Sequence, residues 1–198
     1  MKNKNIPRAG FKLAKIAVGG AVLVGLGMAT MSYAQKAPLP TVEKVELDRY
    51  LGTWYEVARK PLVFQQKCDR NVTATYTLNE NGNVTVDNRC VQKNGQVMQS
   101  LGEAYIQNPP YNSKLKVSFL PEFIRWLPVG RGDYWVLKLD DHYQTVLVGE
   151  PRRKYMWVLS RDPQLDQKVL NEYLQYAQSI GYDLSDLIRT KQIQTTEP

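Results

Sequence analysis

Hydrophobic and polar residues alternate with a period of two along most of the chain between residues 52 and 161. This alternation is typical of β-strands that bury one face and expose the other. Tight-turn residues such as Asn81-Gly82 and Asn94-Gly95 separate the alternating segments. The pattern predicts eight strands, at residues 52–60, 71–79, 83–92, 97–107, 114–120, 132–140, 144–149 and 154–161.

The period lengthens after Pro163, where apolar residues recur at helical spacing as far as Gly181. This spacing predicts one amphipathic helix that packs on the outside of the sheet. Eight consecutive antiparallel strands have exposed edges that closure into a barrel removes. The predicted fold is therefore all-β, an eight-stranded antiparallel up-and-down β-barrel with a C-terminal α-helix. Such a barrel is filled by its own side chains or holds one small ligand.

The first 34 residues have the layout of a secretory signal peptide, with cleavage expected after Ala34. Five cations and no acidic residue precede an apolar run at residues 16–31. The alternative is an uncleaved membrane anchor. No cysteine lies near the expected cut, so a lipid anchor is not predicted. The remaining domain organisation is an extended leader at 35–46, a barrel domain at 47–188 and a flexible tail at 189–198.

Charge and cysteine content narrow the function classes. The chain has a net charge of +7, but without the five cations of the signal peptide 21 cations face 19 acidic residues, a net charge of +2. The case for nucleic-acid binding mostly disappears with that correction. Export favours a disulfide between Cys68 and Cys90, with two free thiols as the alternative. Two cysteines and one histidine are too few for a zinc site without carboxylates, and we expect neither a metal nor a cofactor.

Three short motifs resemble the signatures of the lipocalin family. Gly52-Thr53-Trp54 matches its Gly-x-Trp motif, Arg161 matches its third signature, and Asp140 alone is kept of its second. The wider strings at 50–59 and 157–161 are similar to the subgroup that contains bacterial lipocalins and apolipoprotein D. The resemblance spans residues 47–188. It implies that Trp54 and Arg161 pack on each other and close one end of the barrel, which a cation–π contact would stabilise.

Period-two alternation also predicts which side chains face the interior. The resemblance adds weight to Trp157, whose counterpart lines the pocket in related members. A largely apolar lining with a few polar groups is typical of a small-molecule pocket. The predicted ligand-binding residues are Trp157, Tyr76, Glu56, Ala58, Val86, Ile106, Val117, Phe119, Tyr134, Val136 and Leu147.

The loops after the first, fifth and seventh strands should meet at the open end of the barrel, because alternate connections share an end. They combine apolar residues with cations: Phe123, Ile124, Trp126, Arg152, Arg153 and Lys154. This combination suits peripheral contact with an anionic membrane. A lid over the barrel and a homodimer contact are the alternatives.

The expected function is binding, storage or transport of a small hydrophobic ligand, a fatty acid or a lysophospholipid, for maintenance of the cell envelope. The expected location is the periplasm, in association with the outer membrane. Alternatives are a protein-interaction module and a lipocalin-like isomerase. Catalysis is not predicted, because His142 lies in a turn without an evident partner and no catalytic motif is present.

Overall fold

The computed structural model describes residues 37–193. The predicted signal peptide at 1–34 and residues 194–198 of the predicted tail lie outside the described residues.

Eight strands form a closed antiparallel barrel, which confirms the predicted fold class. Each strand pairs with the next along the chain, and the first pairs with both the second and the eighth. The strands are β1 Gly52–Arg59, β2 Cys68–Leu78, β3 Val84–Gln92, β4 Val97–Ile106, β5 Lys114–Ser118, β6 Gly132–Leu139, β7 Thr145–Gly149 and β8 Met156–Ser160.

The predicted C-terminal helix, α2, spans Gln167–Ser179 and packs on the outside of the barrel. It begins after Pro163 because the Asp166 side chain caps it, accepting hydrogen bonds from the backbone N–H groups of Lys168 and Val169. A short helix, α1, spans Leu47–Tyr50 immediately before β1. Two single 3-10 turns lie in the connections, at Val63–Gln65 and Glu122–Ile124.

The barrel wall separates an inner apolar core from an outer core beneath α2. The expectation that Ala58 points inward is wrong, because a register shift between Glu56 and Ala58 places Val57 and Ala58 on the same outer face. Leu147 is also in the outer core, against α2, while Val146 and Val148 face inward. All five residues of β7 are buried, so burial preference could not identify its inner face.

Both ends of the described chain pack onto the barrel. The leader contributes Leu39 to the outer core and Val45 to the inner core. Ile188–Arg189 forms a short strand, β9, against the second half of β1, and residues up to 193 lie between β1 and β2.

Cys68 on β2 and Cys90 on β3 form a disulfide bond, which confirms the predicted pairing and excludes free thiols. Within residues 37–193, no helix combines the length and apolar character needed to cross a membrane.

Candidate functional site

The antiparallel topology gives the barrel two different ends. α1, the start of β1 and the segment after β8 lie at one end. The β1–β2, β5–β6 and β7–β8 connections meet at the other end.

Arg161 and Trp54 close the first of these ends. The Arg161 guanidinium lies over the Trp54 ring, 3.9 Å from its centroid. Its Nη atoms donate hydrogen bonds to the backbone carbonyls of Arg49, Tyr50, Leu51 and Thr53 at 2.7–3.1 Å. Trp54 Nε1 donates to the Tyr50 carbonyl at 2.8 Å. These contacts tie α1 and β1 to the end of β8, so a ligand has no passage through this end.

A cavity of about 710 Å³ extends from this closed end to the opposite, open end of the barrel. Its lining is mostly apolar, and its size is typical of a small-molecule site, which spans roughly 300–1,000 Å³. Eight of the eleven predicted ligand-binding residues line it: Glu56, Tyr76, Val86, Val117, Phe119, Tyr134, Val136 and Trp157. Ile106 packs on the inner core without lining the cavity, and Ala58 and Leu147 face the outer core.

A tyrosine cluster, Tyr50, Tyr76 and Tyr134, lies towards the closed end of the cavity. The Tyr134 hydroxyl oxygen is 2.7 Å from that of Tyr50 and 3.0 Å from that of Tyr76. The rings of Tyr50 and Tyr76 are stacked, and Tyr50 also contacts the Trp54 ring. Burial raises the pKa of Tyr76 to about 12, and it also raises the pKa of Tyr50 and Tyr134 well above the ordinary value of a phenol. All three phenols are therefore neutral hydrogen-bonding groups at physiological pH.

A mouth cluster of five polar groups, Glu56, Arg59, Gln65, Trp157 and Thr190, lies nearer the open end. Gln65 Nε2 donates to Glu56 Oε2 at 2.8 Å, and Trp157 Nε1 donates to Gln65 Oε1 at 3.0 Å. Thr190 Oγ1 donates to Glu56 Oε1 at 2.5 Å, and Arg59 Nε lies 3.1 Å from the same oxygen. Burial raises the pKa of Glu56 above its ordinary value, although these donors and the Arg59 charge oppose the shift.

The open end carries a rim of exposed apolar side chains. Phe64, Phe123 and Trp126 are 83%, 78% and 72% exposed, and Ile124 is partly buried beside them. Arg152 and Lys154 are exposed cations on the β7–β8 connection. Arg153 differs from its neighbours because its guanidinium donates to the Ile180 and Ala37 carbonyls at 2.7 Å, which ties α2 and the leader together.

Several residues that line the cavity were not predicted from the sequence, because they lie outside the alternating strands. Tyr50 belongs to α1, and Gln65 reaches the cavity from the 3-10 turn at Val63–Gln65. Arg131 lines the mouth from the end of a long connection, where it stacks on the Tyr105 ring. A period-two pattern carries no signal for any of these positions.

The described residues 37–193 contain no group of three or more His, Cys, Asp or Glu side chains arranged to hold a metal ion. His142 lies in the exposed β6–β7 turn, outside the cavity lining.

Sequence comparison identifies relatives over almost the whole described chain. The family model described as "Lipocalin-like domain" matches residues 45–192. Temperature-induced lipocalin-1 of Arabidopsis thaliana is 40% identical over 81% of this chain and 87% of its own length. Outer membrane lipoprotein Blc of Escherichia coli (strain K12) is 36% identical over 88% and 95%. Apolipoprotein D of Bos taurus is 30% identical over 89% and 93%.

Among solved structures, insecticyanin from the tobacco hornworm Manduca sexta superposes with a TM-score of 0.61 at 20% identity, covering 79% of this chain and 85% of that one. At this identity the similarity shows a common fold.

Proposed function

Since this chain belongs to the lipocalin family, whose members compared above are binding proteins for small hydrophobic molecules and not enzymes, we propose that its barrel stores or transports one fatty acid or lysophospholipid. The observation that carries this proposal is the cavity of about 710 Å³, closed at one end and open at the other. Each methylene group buried there contributes ~0.8 kcal/mol, so an acyl chain of ordinary length supplies enough free energy for binding after the association cost.

The distribution of charge supports entry with the acyl chain leading. The closed end presents apolar side chains and neutral phenols, while Arg131 and Arg152 are among the residues that line the mouth. The Arg131 guanidinium stacks on the Tyr105 ring, and Arg152 Nε lies 3.6 Å from a Glu150 carboxylate oxygen. A carboxylate or phosphate left at the mouth stays near water and near these cations, which avoids the cost of burying an unpaired charge.

Intrinsic tryptophan fluorescence tests the proposal, because Trp157 lines the cavity. Titration of delipidated protein with a single-chain lysophospholipid should quench the fluorescence saturably, with one ligand bound per chain. Trp157→Phe keeps an aromatic ring in place and should lose most of the signal change.

A flat titration of the delipidated wild-type protein would contradict ligand binding. It would favour instead a protein-interaction module that uses the exposed rim at the open end.

The location we propose is the periplasm, with a role in maintaining the cell envelope. The signal-like first 34 residues support export, and the name of the Escherichia coli relative places that protein at the outer membrane. That relative is a lipoprotein by name, whereas both cysteines of this sequence lie in the Cys68–Cys90 disulfide and are not available for acylation.

The folded barrel offers a surface for membrane contact as well, and we propose that the open end docks on an anionic bilayer. The rim combines the exposed rings of Phe64, Phe123 and Trp126 with the cations Arg152 and Lys154. Aromatic rings and cations are the side chains that favour an anionic membrane interface. Docking would place the mouth of the cavity against the source of its ligand.

A further inference from the structure

The tyrosine cluster has one more hydrogen-bond donor than its own contacts use. A phenol hydroxyl donates one hydrogen and accepts up to two. Two hydrogen bonds, Tyr50 to Tyr134 and Tyr76 to Tyr134, join the three hydroxyls and use two of the three hydrogens. Within residues 37–193 the three hydroxyls have no other hydrogen-bond partner, so one hydrogen remains without an acceptor.

The three hydroxyls form no hydrogen bond with any other described residue. Most neighbouring side chains that line this part of the cavity are apolar: Val45, Leu51, Ala74, Leu115 and Val136. Asn112 also lines the cavity beside Val45, where its Nδ2 donates to the Val45 carbonyl at 3.3 Å rather than contacting the phenols. Tyr50 and Tyr76 are more than nine-tenths buried, so bulk water does not reach their hydroxyls freely. A buried donor without a partner destabilises the empty cavity, and an oxygen atom on a bound molecule would relieve that cost.

The groups that the tyrosine cluster offers to a ligand favour an uncharged ligand oxygen. The phenols are neutral, and together they supply only one hydrogen to a ligand. The nearest guanidinium, that of Arg161, is bonded to backbone carbonyls and lies on the Trp54 ring rather than in the cavity lining. A carboxylate at this depth would lose its hydration for a single hydrogen bond, whereas a hydroxyl or carbonyl oxygen would not.

We propose that the tyrosine cluster binds an uncharged hydroxyl or carbonyl oxygen at the buried end of the ligand, so that the barrel prefers oxygenated acyl chains to plain ones. This inference rests on the proposed function, since it concerns the far end of an acyl chain whose charged group stays at the mouth.

The test compares hexadecanoic acid, ω-hydroxyhexadecanoic acid and hexadecanedioic acid in the same fluorescence titration. The ω-hydroxy acid should bind about threefold to tenfold more tightly than the plain acid, the gain expected from one net hydrogen bond. The diacid should bind more weakly than the ω-hydroxy acid. The plain and ω-hydroxy acids are also compared at chain lengths of twelve and fourteen carbons. The series allows one chain length to place the ω-hydroxyl group beside the tyrosine cluster. Equal affinity of the plain and hydroxylated acids at every length would overturn the proposal.

Variants assign the preference to the cluster. Replacing Tyr50, Tyr76 and Tyr134 together with Phe removes every hydroxyl and keeps the rings, so the preference for the ω-hydroxy acid should disappear while the plain acid still binds. Tyr76→Phe leaves two hydroxyls joined by one hydrogen bond and one spare hydrogen, so it should keep the preference. Tyr176→Phe, which alters a phenol of the outer core, is the matched control.

Retention of the preference in the triple variant would overturn the assignment to these residues. Failure of the wild-type protein to bind any of these acids would instead contradict the proposed function. Binding of all of them without preference would contradict only this inference.

Discussion

Glu56 places an ionisable group in a cavity that is otherwise mostly apolar. Glu56 is 2% exposed, and its carboxylate contacts Thr190, Gln65 and the Arg59 guanidinium. Burial still raises its pKa, because the loss of hydration outweighs these contacts. The folded protein therefore binds a proton at Glu56 at a pH where the unfolded chain has already released it.

This difference predicts a pH dependence of stability. Between the ordinary Glu pKa of about 4.3 and the raised value, the native state holds more protons than the unfolded state. The contribution of Glu56 to stability is therefore present at low pH and is lost as the pH rises through its folded pKa. Urea unfolding at a series of pH values should show that Glu56→Gln flattens the pH dependence in this window. An unchanged slope in the variant would show that Glu56 has an ordinary pKa.

Side-chain orientation was predictable from sequence only where the strands are regular. Alternation placed Tyr76, Val86 and Val117 towards the interior, and these residues line the cavity. Alternation gave the wrong orientation for Ala58, because a backbone register shift between Glu56 and Ala58 reverses the direction of the Ala58 side chain. No residue type in this segment indicates that shift. Tyr50 was missed because it contributes to the cavity from a single helical turn, where period two does not apply.

The segment that contains Gln192 bridges a gap between two strands. β1 pairs with β2 only over residues 52–55, and the two strands then separate. Gln192 Nε2 donates to the carbonyls of Glu56 on β1 and Val72 on β2, each at 2.8 Å. The C-terminal segment thus supplies hydrogen bonds that the two strands no longer exchange.

Removing this bridge should destabilise the barrel locally. Gln192→Ala leaves two partly buried carbonyls without their donor, which should lower the free energy of unfolding by about 1–2 kcal/mol. Lys191→Ala is the matched control, because it alters the same segment at an exposed side chain. Chemical denaturation followed by circular dichroism measures both. Equal stability of the two variants would mean that the bridge contributes nothing.

The strength of the sequence signal differed between elements for physical reasons. Strands that alternate apolar and polar residues, such as β3 and β5, and the amphipathic helix α2 carry their period in the sequence. β7 does not, because α2 covers its outer face and every residue is buried. β9 has two paired residues, too few for a period, and it exists because β1 and β2 separate beside it.

The whole molecule is asymmetric between its two ends. The Arg161–Trp54 contact ties backbone segments together at the closed end. The open end combines the cavity mouth, exposed aromatic rings and the exposed cations Arg152 and Lys154, of which Arg152 lies 3.6 Å from the Glu150 carboxylate. An exposed apolar patch of this kind usually marks a contact surface. If this surface docks on a membrane as we propose, its position around the mouth would couple that contact to exchange of the ligand.

Reversing the charge of the two exposed cations of the rim should therefore weaken binding to anionic membranes. The double variant Arg152→Glu/Lys154→Glu should bind phosphatidylglycerol-rich vesicles at least about tenfold more weakly, since each cation near such a surface contributes about 1 kcal/mol. Vesicle flotation at near-physiological salt measures the bound fraction. Arg153 is left unchanged because it holds α2 and the leader, and its loss would disturb the fold.

A control with the same change in net charge separates docking from general electrostatic attraction. Lys44→Glu/Lys168→Glu reverses two exposed cations that lie away from the open end, one before α1 and one in the first turn of α2. If the rim docks, this variant keeps its affinity while the rim variant loses it, and neutral vesicles bind all three proteins weakly. Equal losses in both variants would mean that net charge alone drives binding. No loss of affinity in the rim variant would exclude docking through these cations. In that case, a concentration-dependent dimer in sedimentation experiments would identify the rim as a contact between two copies of the chain.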